Sequence, residues 1–217
     1  MNKISRYNFV AFALALVAAA IVGAIQPLFF TAENILNVSQ QATPLIILAV
    51  GQMVPILTRG LDLSQGGVVV ATSVGYALWA KDFGVGPAII LALGVGLVAG
   101  MINGLLIAAF EISPFIVTLG TGSILQGLAL VAANGQPISD VPAAFSAPYY
   151  EKLLGVPLPI ILAVVVALLL WFILEKMLVG RRIIAVGSNS RAAFLAGIDW
   201  VVKRMRSRGI SSGTTTL

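Results

Sequence analysis

The sequence predicts an all-α, polytopic helical membrane protein with about six transmembrane segments and a broken or re-entrant region near residues 55–67. Three observations carry this prediction. Of 217 residues, 59% are hydrophobic and 10% charged, against roughly 25% charge in a soluble domain. The apolar residues fall in runs of about 20, the length that crosses a hydrocarbon layer roughly 30 Å thick. The basic residues segregate by side once those runs are taken as crossings. An ordinary water-soluble domain is excluded. With no Cys and no His, thiol nucleophiles, disulfides, His-based metal sites and imidazole acid–base catalysis are excluded as well.

The first run, Phe9 to Phe30, holds twelve Leu, Ile, Val or Phe. At roughly 0.3–0.6 kcal/mol each they favour insertion by about 4–7 kcal/mol. Lys3 and Arg6 ahead of it, with AIVGA at 20–24, resemble a signal peptide. The run continues past that point and more spans follow, so a span is the reading adopted. The next runs are Thr43–Leu57 and Gly67–Ala80, both short and interrupted by Gly or Pro, then Pro87–Phe110, Pro114–Ala133 and Pro157–Leu178. Six crossings return the chain to its starting side. Lys3, Arg6, Arg59, Lys176, Arg181, Arg182, Arg191, Lys203, Arg204, Arg206 and Arg208 then share one side, with only Lys81 and Lys152 opposite. Eleven against two predicts a cytoplasmic N-terminus. Topology therefore accounts for the net charge of +5 without a nucleic-acid partner.

Between the short runs lies PILTRGLDLSQGG, residues 55–67, which places Arg59, Asp62, Ser64 and Gln65 at a junction lacking a proper polar loop. Irregular backbone near membrane depth persists only where protein or a water-filled cavity satisfies it. Asp62 either caps the helix starting near Ser64, pairs with Arg59, or faces a solute. In the fourth run Gly96, Gly100 and Gly104 recur every four residues, a smooth face for helix packing, and Asn103 beside them is a polar group at depth. Residues 134–156 read as an interfacial loop with a short surface helix, Tyr149 and Tyr150 suiting the headgroup level. Residues 179–198 divide into a basic, extended start and an Ala-rich helix capped by Ser188 or Asn189. That helix either meets a cytoplasmic partner or lies on the inner leaflet.

Three stretches together resemble the permease subunits of bacterial ATP-binding-cassette sugar importers of the ribose, xylose and galactoside type. They are GLDLSQGG (60–67), SPFIVTLGTGSILQGLALVAANGQPIS (113–139) and GRRIIAVGSNSRAAFLAGI (180–198). Leu61 stands where that family usually has Ile, and Gln65 where Val is common. The resemblance implies that Gly180, Arg181, Gly187, Asn189, Ala192, Ala193 and Gly197 form an ATPase-coupling segment. It implies as partners a cytoplasmic ATP-binding-cassette ATPase, a periplasmic sugar-binding protein and a second permease subunit in a homo- or heterodimer. Residues 1–198 are expected to be the N-terminal part of the family's transmembrane domain. Family members continue into further spans, whereas 199–217 reads as a basic, disordered tail outside the family pattern, as a truncation or frameshift would leave.

The expected function is movement of a sugar or similar small polar solute into the cytoplasm across the bacterial inner membrane. No GxxxxGK[ST] loop is present, so the expectation is no cofactor, with ATP bound by a separate subunit. Asp62, Ser64, Asn103 and Thr118 are expected to line the pathway or to serve structure, with Gln52, Thr121 and Gln126 as further intramembrane groups able to meet hydroxyls. No metal site and no catalytic residue are expected. A membrane-embedded transferase would need clustered acids or a His, and the eight acidic residues are spread one per boundary. A truncated, non-transporting fragment of a permease is the other alternative.

Overall fold

The computed structural model describes residues 3–139, 141 and 143–188. All six apolar runs are helical, with boundaries that depart from the apolar pattern. α1 (Lys3–Ile25) stops short of Phe30, and Pro27–Phe30 forms a 3-10 turn, because Pro fixes φ and removes a backbone donor. Thr31 caps α2 (Ala32–Leu57), its hydroxyl accepting from the Asn34 N–H at 3.3 Å. α2 begins at Ala32 rather than at Thr43. The backbone ladder continues beyond the apolar boundary, and the polar Glu33, Asn34, Asn37 and Gln41 occupy its early turns.

α3 (Gln65–Phe83) is followed by α4 (Val85–Ala109) and α5 (Pro114–Ala132). α6 (Ala143–Tyr150) leads into a two-stranded hairpin, β1 (Lys152–Leu153) and β2 (Val156–Pro157), then α7 (Leu158–Lys176) and α8 (Leu178–Ser188). Among the described residues, α2, α4, α5 and α7 are long and apolar enough to cross a membrane. The apolar part of α1, Phe12–Ile25, is shorter, and α3 carries Lys81 and Asp82 near its end. Large apolar side chains such as Leu93, Leu97 and Val131 face outward, while the buried contacts use Ala77, Ala80, Ala88, Ala99, Ala129 and Ala163. Small residues inside and large ones outside is the arrangement lipid favours, since close backbone approach drives association there.

The helices sort into two groups. α3, α4 and α5 pack on one another, while α2 packs on α7 and α8. One clasp, through α6, joins the groups. At the end carrying the Lys152 hairpin, buried Gln40 of α2 donates to the Tyr149 carbonyl of α6, and the Tyr76 hydroxyl of α3 donates to the Phe145 carbonyl at 3.2 Å. The Tyr76 and Phe145 rings stack with centroids 4.1 Å apart. The expected short surface helix is thus α6, and the hairpin pairs Lys152 with Pro157 and Leu153 with Val156. Leu154 and Gly155 at its tip both have positive φ, as a tight two-residue turn needs. Tyr76→Phe keeps the ring stack and removes one hydrogen bond, so a loss of about 0.5–1.5 kcal/mol is expected. A modest drop in Tm in detergent, with assembly unchanged, checks it.

At the opposite end α8 is fastened to α7 and α2 within its own group. The basic stretch expected to be extended is instead helical, forming α8. Val179, Ile183 and Val186 recur at helical spacing, and the Ser188 hydroxyl donates back to the Ile184 carbonyl at 2.8 Å. Gly180 and Gly187, two turns apart on one face, lie against the backbone of α7 at Ile173 and Leu174 and against the Leu57 carbonyl of α2 respectively. Any Cβ at either glycine meets main chain. Gly187→Leu is therefore expected to detach α8 from α2, seen as protease cleavage within residues 178–188 in a protein that still inserts. Asn189, Ala192, Ala193 and Gly197, with the whole stretch 189–217, lie outside the described residues.

Candidate functional site

The interruption expected near residues 55–67 is present and lies between the two groups. α2 ends at Leu57 with Thr58 as C-cap, and Arg59 adopts φ +59°. The Gly60 N–H donates to the Pro55 carbonyl at 2.8 Å and the Arg59 N–H to the Ile56 carbonyl at 2.9 Å, the paired bonds that close a helix when one residue turns left-handed. Residues 60–64 then run without helix beside α5. An ideal Cβ on Gly60 would sit 3.8 Å from the Pro114 Cβ, the Leu63 N–H donates to the Thr118 hydroxyl at 3.0 Å, and Ser64 lies against Gly122. From Pro114 to Gly122 a helix rises about 12 Å, which four extended residues cover at about 13 Å. The segment therefore climbs into the bundle, and α3 starts inside it.

That internal start is held by a directed polar thread. The Thr121 hydroxyl donates to Asn103 Oδ1 at 2.6 Å, Asn103 Nδ2 donates to Ser64 Oγ at 3.0 Å, and Ser64 Oγ donates to Asp62 Oδ1 at 2.6 Å. The same carboxylate oxygen accepts from the Ser64 N–H at 2.8 Å. Asp62 thus holds Ser64, the residue that immediately precedes α3, rather than capping the helix itself, and Arg59 is directed to the Ser188 carbonyl. Asn103 lies six residues before the end of α4, about 9 Å along that helix, so the thread sits at depth. Ser64, Asn103 and Thr118 are buried. Thr118 also donates to the Pro114 carbonyl at 2.8 Å.

On the side of the other group, the Gln52 amide of α2, oriented to satisfy both partners, donates to the Asp62 carbonyl and accepts from the Asp62 N–H, each at 3.2 Å. Its nitrogen lies 3.0 Å from the Gln65 amide. Gln52, Asp62 and Gln65 are half-exposed, whereas Gln126 points outward from α5. The structure thus brings together the four residues expected at a pathway or structural joint, with Gln52 and Thr121 added. It separates Gln126 from them. Gly67 is the partner the sequence did not single out: a Cβ there would fall on the Gly122 main chain, so α3 and α5 touch backbone to backbone. The only sequence signal was that both glycines lie within the motif stretches. The Gly96, Gly100, Gly104 stripe is used only at its first member, near Val68, and Gly100 and Gly104 face open space.

Apolar helices outside and an interrupted helix held inside by hydroxyls, amides and one carboxylate define a polytopic membrane protein built around a polar joint, an arrangement typical of membrane transport proteins. The particular family follows from comparison with known sequences. The chain belongs to the family described as the permease component of branched-chain amino acid transport systems, whose model matches residues 34–217. It is similar to the D-allose transport system permease protein AlsC of Escherichia coli strain K12, 34% identical over 192 residues covering 87% of this chain and 58% of that protein. It is likewise similar to the ribose import permease protein RbsC of Bacillus subtilis strain 168, 37% identical over 182 residues covering 82% and 56%. The galactofuranose transporter permease protein YtfT of E. coli K12 is 36% identical over 173 residues, covering 79% and 50%. The chain spans between half and three-fifths of the length of these relatives. No solved structure matches it.

Proposed function

We propose that this chain is the transmembrane permease subunit of an ATP-binding-cassette importer that moves a sugar or a similar small polar solute into the cytoplasm. The observation that carries the reading is the interrupted helix between two helical groups, in a chain similar to ribose and allose permeases. A neutral sugar is matched by amides and hydroxyls rather than by charge, and Gln52 and Gln65 are the half-exposed amides at the junction of the groups. Joined through α6 at one end and through the interrupted segment at depth, the groups are able to rock against each other, the rigid-body form of alternating access. The bacterial inner membrane is the proposed location. A cytoplasmic N-terminus follows from eleven basic residues on one side and two on the other. That orientation puts the α6 hairpin outside, where a periplasmic binding protein would deliver solute, and α8 inside.

In this reading the chain is not an enzyme and holds no cofactor. A separate ATPase supplies the energy, and a second permease subunit completes the pathway. Gly180, Arg181, Gly187, Asn189, Ala192, Ala193 and Gly197 are proposed as the segment through which that ATPase acts. The test is uptake of labelled ribose, allose and galactofuranose into proteoliposomes holding this chain with an ATP-binding-cassette ATPase and a binding protein. ATP-dependent accumulation of one sugar is the expected result. Failure of an ATPase to co-purify, or uptake independent of ATP, overturns the reading.

A further inference from the structure

We propose that Arg59 is a positioning residue that ties α8 to the extended segment 60–64, so that a displacement of α8 reaches the Ser64–Asn103 joint. The proposal rests on the permease reading above. Its first support is conformational. Arg59 holds φ +59° at the turn closing α2, a position glycine fills freely and an L-residue occupies at a cost of roughly 1–2 kcal/mol. Strain retained at a single residue points to a use for its side chain.

The second support is where that side chain goes. Arg59 Nη2 donates to the Ser188 carbonyl of α8 at 2.9 Å, and beside it the Gly187 backbone lies on the Leu57 carbonyl. α8 therefore grips both flanks of the Thr58 cap. Beyond Arg59 the chain has no slack: Leu63 is bonded to Thr118, Asp62 to Gln52 in its satisfied orientation, and Ser64 to Asn103. A short extended segment fixed at both ends transmits displacement, whereas a flexible loop would absorb it.

The alternative is that a cation near the last carbonyls of a helix merely stabilises it. Arg59→Gly separates the two, because it relieves the left-handed strain and keeps the turn while deleting the link. The measurement is solute accumulated per ATP hydrolysed by the assembled transporter in proteoliposomes. R59G is expected to retain insertion, ATPase co-purification and basal hydrolysis, with solute per ATP reduced at least about 5-fold, the lower end of ordinary coupling. R59K, which can still donate one hydrogen bond, is expected to recover part of the ratio. Joining Arg59→Cys to Ser188→Cys with a short bis-maleimide, in a chain that has no cysteine of its own, is expected to restore it. A wild-type ratio in R59G, or no recovery in the tethered double variant, overturns the proposal. Absence of ATP-driven uptake by the wild-type transporter overturns the permease reading and this proposal with it.

Discussion

Gly67→Leu is expected to prevent assembly of α3 with α5 while leaving membrane insertion intact. A Cβ at residue 67 would lie 2.6 Å from the Gly122 Cα and closer still to its carbonyl oxygen. Both atoms are main chain in a helix, so neither can swing aside as a flexible side chain would. Overpacking in a filled core costs about 1–3 kcal/mol and sometimes more, and here the leucine must either separate two helices or unwind the start of α3. Either outcome breaks the Ser64–Asn103 bond, since Ser64 immediately precedes α3. Insertion depends on the apolar runs and is unchanged. The measurement is the folded fraction in mild detergent, by fluorescence-detected size exclusion, and a several-fold loss is expected. Gly66→Leu is the control: nothing lies within 4 Å of its Cβ position, so it should behave as wild type.

Asn103→Leu carries the second largest expected effect. Asn103 is 6% exposed and uses its oxygen to accept from Thr121 and its nitrogen to donate to Ser64. Leucine has nearly the same size, so the change tests the hydrogen bonds rather than packing. Two bonds are lost and the Thr121 hydroxyl is left without that partner at depth, for a combined cost of about 1–3 kcal/mol. Individual hydrogen bonds in membrane proteins average only about 0.6 kcal/mol, so the stability loss should sit near the lower end of that range. Transport should suffer more than stability, because the thread links α3, α4 and α5 at the interruption. A small fall in Tm with uptake reduced about 10-fold is the expected combination, and Thr121→Val, which removes only one donor, should give an intermediate result.

The depth of the interruption was legible because Arg59, Asp62, Ser64 and Gln65 stood between two apolar runs with no turn-forming loop, and lipid permits such a sequence only inside protein. The four expected site residues came from polar side chains placed within or between apolar runs, since a hydroxyl, amide or carboxylate at depth must find a partner. Which partner it finds depends on how helices pair in space, so Asp62 could be read as cap, as ion pair or as solute contact. Helix ends were less legible. α2 extends through Glu33 to Gln41 because a helix needs backbone bonds, not apolar side chains, and α8 is helical because glycines at 180 and 187 permit contact with α7 and α2. Gly67 and Gly122 were invisible for the opposite reason. A close approach between two segments leaves the same residue as a flexible turn does, and only the packing in space distinguishes them.

The most direct measurement places cysteines at residues 60 and 114. The Gly60 Cβ position lies 3.8 Å from the Pro114 Cβ, within the 3.5–4.5 Å that a disulfide spans, and the chain contributes no competing thiol. If residues 60–64 rise along α5 into the bundle, the double variant G60C/P114C forms an intramolecular disulfide in membranes under mild oxidation. If the two cysteines stay reduced while each single variant inserts normally, the interrupted segment lies elsewhere and the account of the joint is wrong.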